Sequence, residues 1–168
     1  MKNHNIIQNK YSALQLFALT ILRISIGWHF LYEGLVKLYN PTWSSSYYLE
    51  SSAGPFMKIL NFFTSDQLIL TIIDFTTIWG LILIGISLFL GLFTKPFKIF
   101  AIVLLILYYF TYPPFAGLEI PLVTEGSYWI VNKNLIEAFA LLVLYVFPSS
   151  HITGLDKFLF KNKGTGNE

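Results

Sequence analysis

Residues Ser12–Lys37 read SALQLFALTILRISIGWHFLYEGLVK. At about 1.5 Å rise per residue, this stretch is long enough to cross a bilayer as a helix. It nevertheless carries Arg23, His29, Glu33 and Lys37. Each ionisable group in such a span costs at least about 2.5–3.5 kcal/mol on insertion scales, so it turns toward a partner or a wet cavity rather than lipid. Two explanations compete: the groups act on a ligand, or they pair only to hold helices together.

Composition sets the class. Apolar residues make up 55% of the chain, aromatics 18% and charged residues 12%, with a mean hydropathy of +0.61. A soluble domain is about one-quarter charged. The net charge of +2, with no basic run, argues against nucleic acid as a partner. The lack of cysteine removes thiolate ligands, iron–sulfur clusters and any thiol relay carried by this chain alone. The reading is an all-α integral membrane protein, a single domain over residues 1–168.

Four spans are expected, at about 12–37, 68–93, 96–112 and 128–147. Pro96 suits a first helical turn, and Pro113, Pro114 and Pro148 suit helix ends. The third span is short, and Lys98 is expected to snorkel toward the headgroups. Arg23 interrupts the first apolar run and no small-residue cleavage site follows closely, so no cleavable signal peptide is expected. Lys2, Lys10, Lys95, Lys98, Lys157, Lys161 and Lys163 all fall on one side, whereas 113–127 carries Glu119 and Glu125 without Lys or Arg. The positive-inside rule then predicts a four-helix bundle with both termini cytoplasmic.

In that topology Glu33 and Lys37, then Asp74, then Asn134 and Glu137 reach the outer layer from three spans, with Arg23 nearer mid-membrane. At 100° per residue Arg23, Gly27, Phe30, Gly34 and Lys37 lie within about 40° of one line. Glu33 stands one turn before Lys37 and can pair with it. Thr20, Gly27 and Gly34 permit close helix approach along the stripe, and Thr76 with Gly80 offers a second such contact. The expectation is an outer cavity enclosing Arg23, Glu33, Lys37, Asp74, Asn134 and Glu137. Arg23 should be salt-bridged to Asp74 or Glu137, because an unpaired charge at membrane depth is costly. Trp28, Trp79 and Tyr108 or Tyr109 are expected as walls. The aromatic segment 40–58, NPTWSSSYYLESSAGPFMK, serves as an interfacial belt or a lid.

The pattern R-x3-G-x2-F-x3-G-x2-K formed by Arg23, Gly27, Phe30, Gly34 and Lys37 resembles the signature of the DoxX/DoxD family of small bacterial four-helix membrane proteins. The continuation WHFLYEGLVKLYNPTWSSSYYL resembles the DoxD-type branch, named for the small subunit of thiosulfate:quinone oxidoreductase. EGSYWIVNKNLIEAFALLVL is similar to the family's last helix, and GLDKF at Gly154–Phe158 to its closing segment. The resemblance implies a bacterial inner-membrane subunit of an oxidoreductase system. Such a subunit passes electrons to quinone together with other membrane or periplasmic subunits.

Under that reading Arg23 or Lys37 stabilises negative charge or holds an anion such as thiosulfate, and Glu33 or Glu137 relays protons. Trp28, His29, Trp79, Asp74 and Asn134 bound the quinone slot. Haem is not expected, since bis-His ligation needs two membrane histidines and only His29 lies in a span. His29 and Glu33 could share a metal with Glu137 or Asp74, but that spacing arises often by chance and no metal is expected. The alternative function is a non-catalytic scaffold or carrier subunit of an envelope complex.

Overall fold

A computed structural model of the chain describes residues 11–50, 52, 62, 64–112 and 127–159. The expectations placed on Pro113, Pro114, Glu119, Glu125 and the lysines at 2, 10, 161 and 163 lie outside the described residues. So does most of the second half of the 40–58 segment. The elements are α1 (Ala13–Tyr39), α2 (Ser46–Glu50), α3 (Gln67–Leu90), α4 (Thr94–Thr111), a hairpin of β1 (Ser127–Tyr128) and β2 (Val131–Asn132), α5 (Lys133–Val146), α6 (Ser150–Thr153) and α7 (Asp156–Leu159).

Helix boundaries follow from local hydrogen bonding. Ser12 Oγ accepts the Gln15 N–H at 3.2 Å while Gln15 Oε1 accepts the Ser12 N–H at 2.8 Å, a reciprocal cap that satisfies two otherwise orphaned donors. The Asp66 carboxylate accepts the Leu68 and Ile69 N–H groups and starts α3. Gly91, at φ +70°, ends it; that left-handed conformation carries no Cβ penalty for glycine. Phe93 follows at φ +50°, a conformation that costs a side-chain-bearing residue of order 1–3 kcal/mol unless its surroundings hold it. The Asp156 carboxylate does so, with Oδ1 accepting the Phe93 N–H at 2.7 Å.

Helices α1, α3 and α4, with 27, 24 and 18 residues, are long and apolar enough to cross a membrane. The stretch expected as a fourth span differs. Residues 127–132 form the two-stranded hairpin, with Trp129 at φ +61° in its turn. The helix that follows has 14 residues, about 21 Å against a hydrocarbon core of about 30 Å. Asn132 sets that start, because its side chain accepts the Leu135 N–H at 3.0 Å and caps the helix there.

The core draws on α1 (Ile26, Phe30), α3 (Leu81, Ile84, Leu88), α4 (Ala101, Leu105) and α5 (Ala138, Leu141, Leu144). Large apolar side chains on the opposite faces, among them Phe17, Phe75, Leu83, Phe100 and Phe139, are exposed. That outward surface is a lipid face.

The stripe expected on α1 is the buried one, holding Arg23, Gly27, Phe30 and Gly34. A Cβ at Gly27 would stand 2.5 Å from the Phe89 backbone nitrogen, and one at Gly34 would stand 2.9 Å from that of Ile82. The reciprocal glycine on α3 is Gly85, which meets Leu31. The expected Thr76–Gly80 contact is not made within this chain: a Cβ on Gly80 would meet nothing within 4 Å, and Thr76 is exposed.

These pairings run antiparallel and staggered, so each helix overhangs its neighbour. At the turn end, α6 meets the overhang of α1 and the start of α7 meets the end of α3. There Thr20 and Thr153 hydroxyls lie 2.8 Å apart, and the Leu155 and Asp156 N–H groups donate to Leu90 and Gly91 carbonyls. At the opposite end, residues 40–50 form a strap along the overhang of α3. Ser45 donates its N–H and hydroxyl to Asp74, at 2.8 and 2.5 Å, and the Tyr112 hydroxyl donates to the Tyr48 carbonyl at 2.6 Å.

Candidate functional site

The strap roofs a cavity of about 690 Å³. Its walls are Phe30 of α1, Ile73, Thr77 and Leu81 of α3, and Leu104, Leu105, Leu107, Tyr108 and Thr111 of α4. Trp43, Ser45, Tyr48 and Leu49 close it from the strap side, and His29, Glu33, Lys37, Lys133 and Asn134 form a polar rim. An apolar hollow with a few convergent polar groups is the usual form of a small-molecule site.

The rim contains two bonded pairs. Glu33 Oε2 accepts from Lys37 Nζ at 2.5 Å, the pairing expected from their one-turn spacing. His29 Nδ1 and Glu137 Oε1 lie 2.8 Å apart, in hydrogen-bond contact between α1 and α5. Lys37 also places its ammonium 5.7 Å from the centre of the Trp43 ring, a cation–π contact that pins the strap. Tyr48 meets Tyr108 edge-on and Tyr112 at a tilt, with 5.7 and 4.5 Å between ring centres. Burial, reinforced by those neighbouring phenols, pushes the Tyr48 hydroxyl above its ordinary range. It stays a neutral phenol in the roof.

The site residues expected from sequence divide by location. Glu33, Lys37, His29 and Asn134 line the cavity, and Glu137 sits behind His29 as its partner. Asp74 acts on the roof through Ser45 rather than on the cavity itself. Trp28 and Trp79 are not walls. Trp28, 54% exposed, packs on Tyr32 and Phe89, and Trp79, 43% exposed, packs on Phe75. Both rings point outward, where a large amphipathic ring is at home beside lipid. Of the two tyrosines, Tyr108 lines the cavity, whereas the Tyr109 hydroxyl donates to the Ile130 carbonyl and anchors the hairpin.

Arg23 is the largest correction. It does not reach Asp74 or Glu137 but lies at the turn end, 1% exposed. Its Nη1 donates to the Leu88 carbonyl at 3.0 Å and its Nη2 to the Thr153 carbonyl at 3.5 Å, with the Asp156 carboxylate as the nearby countercharge. Carbonyls near a helix C-terminus lack intrahelical partners, and the end of α3 offers one to the guanidinium. Lys98 likewise does not snorkel to headgroups. It is buried, with Nζ donating to the Leu144 carbonyl at 2.9 Å. Asp156 accepts from Phe93, from Thr94 N and from Thr94 Oγ1. This second polar cluster is a structural seam.

Sequence reasoning passed over Lys133 and did not single out Trp43, Ser45 and Tyr48 as site residues. The usable signals were the aromatic density of 40–50 and a lysine beside two asparagines where an apolar helix begins.

Lipid-facing helices around a strap-roofed cavity with a polar rim define a multi-pass helical membrane protein with a ligand-sized interior. The chain belongs to the DoxX family, whose model matches residues 18–113, more than half its length, covering α1 from residue 18 onward, the strap, α3 and α4. The match ends before α5 and does not distinguish a DoxD-type branch. Neither a curated protein nor a solved structure gives a significant match.

Proposed function

We propose that this chain is the quinone-binding membrane subunit of a bacterial inner-membrane oxidoreductase system, working with a partner that supplies electrons. The observation that carries the reading is the His29–Glu137 pair at the rim of the apolar cavity. A quinone needs an apolar slot, aromatic contacts and proton donors near its carbonyl oxygens. Phe30, the leucines, Trp43 and Tyr48 supply the slot, and the hydrogen-bonded His29–Glu137 pair supplies the donor. The ring takes up two electrons from the partner and two protons, and leaves as quinol. The rim is the side from which protons return to the pair.

The positive-inside argument puts the turn end in the cytoplasm, so the strap end opens toward the outer leaflet. The hairpin and the segment around Pro148 extend α5 into a fourth crossing. In the DoxD-type reading, an anion such as thiosulfate would meet the lysines at the rim. Arg23, bonded at the far end, supports no part in that step.

A photoreactive azidoquinone applied to the protein in nanodiscs tests the reading. Peptide mapping should place the label on the strap or on α4 near Tyr108, and excess unmodified quinone should suppress it. Label spread over lipid-facing residues and indifferent to competition would leave the scaffold or carrier alternative.

A further inference from the structure

Among the described residues, the charges around the cavity do not cancel. Glu33 is bonded to Lys37, and Glu137 to His29. Lys133 stands on the same rim, within electrostatic range of His29 and Glu33. Among the described residues it has no hydrogen bond and no carboxylate within 4.0 Å, and neither does Asn134 beside it have a hydrogen-bond partner. Helix stability does not account for this lysine. It is the first residue of α5, where a cation faces the positive end of the helix dipole and is unfavourable. Among the described residues the other polar side chains of the rim are committed to each other, whereas the exposed Lys133 ammonium and the half-buried Asn134 amide line the mouth of the hollow without such partners.

We propose that Lys133, assisted by the Asn134 amide, is the position that receives an ionised oxygen of a ring-shaped ligand. The cavity therefore selects anionic, enolate- or phenolate-type rings over neutral ones of the same size. This rests on the quinone reading and deepens it: His29–Glu137 handles the proton, and Lys133 holds the charge. A charge-assisted hydrogen bond is roughly twice as strong as a neutral one and shorter, so the preference is measurable as an affinity ratio.

Two probes separate the terms. Hydroxynaphthoquinone is an enolate at neutral pH, and its methyl ether is a neutral ring of nearly the same shape. Binding of each to the full-length protein in nanodiscs is measured for wild type, Lys133→Gln, Lys133→Arg and Lys95→Gln. The last removes an exposed lysine at the turn end and controls for net charge. Wild type should prefer the enolate by at least about tenfold. Lys133→Gln should abolish the preference while leaving methyl ether affinity within about twofold, and Lys133→Arg and Lys95→Gln should keep it. Equal binding of the two rings by wild type, or a preference that survives Lys133→Gln, overturns the assignment while the quinone reading stands. Failure of wild type to bind either ring overturns both.

Discussion

His29 Nδ1 and Glu137 Oε1 meet at 2.8 Å from positions 108 residues apart in the chain, tying α1 to α5 across the rim of the cavity. Glu137 is well buried in this pair, its side chain 12% exposed, while the His29 side chain is 43% exposed. The helix pair is thus joined by one largely desolvated carboxylate.

A double-mutant cycle on this pair should give a coupling of about 0.5–3 kcal/mol, the range for residues in direct contact. His29→Ala should cost more alone than in the Glu137→Ala background, because it strands the carboxylate. Unfolding of the detergent-solubilised variants measures it. Additive effects would mean that the contact does not join the helices.

Alanine at Gly27 or Gly85 should destabilise the protein by about 1–3 kcal/mol, since each Cβ meets the backbone of the facing helix. Gly80→Ala should be neutral or slightly stabilising, because its Cβ meets open space and alanine favours the helix. Denaturant titration in mixed micelles should resolve the two classes. Equal effects at all three positions would contradict the α1–α3 register.

Asp156→Ala should lower stability by at least about 3 kcal/mol, given roughly 1–3 kcal/mol for each buried donor left unsatisfied at Phe93 and Thr94. Asp156→Asn keeps an acceptor for the Phe93 N–H and should fall between the two. Thermal melts would show the ordering, and a wild-type midpoint for Asp156→Ala would refute it.

Sidedness is best probed at exposed positions. Ser45 and Thr94 are buried, so Tyr47→Cys on the strap and Lys95→Cys at the turn are the suitable variants, both sites being exposed. An impermeant maleimide should label Tyr47→Cys in intact cells and Lys95→Cys only after permeabilisation. The reverse pattern would invert the orientation.

What could be read from sequence was whatever a single helix declares by itself. The buried stripe of α1 follows from 3.6-residue periodicity, and the Glu33–Lys37 pair from one-turn spacing. Depth also carried information: Glu33, Lys37, Asn134 and Glu137 do gather at one end. Partners were less legible. Arg23 is satisfied by carbonyls, and every residue has one, so composition could not point to Leu88 or Thr153. Trp28 and Trp79 were misplaced because an amphipathic ring suits a lipid boundary as well as a cavity wall. Lys98 was misjudged because a long stem can reach inward to a free carbonyl as readily as outward to headgroups. Lys133 stayed hidden because its meaning depends on which neighbours are already bonded, a fact of tertiary packing.

The seam at the turn end sets an order of events during synthesis. Arg23 and Thr153 lie 130 positions apart, so at about 5–20 residues per second the ribosome delivers the second roughly 7 to 26 seconds after the first. For that interval the guanidinium has no Thr153 carbonyl, Asp156 has yet to arrive, and the left-handed turn at Phe93 has no carboxylate to hold it. A nascent chain therefore passes through a stage in which its apolar helices are made but the seam at the turn end is open. Maturation ends on a polar docking step rather than on helix insertion. A chaperone or membrane protease that inspects unfinished chains would find its handle there.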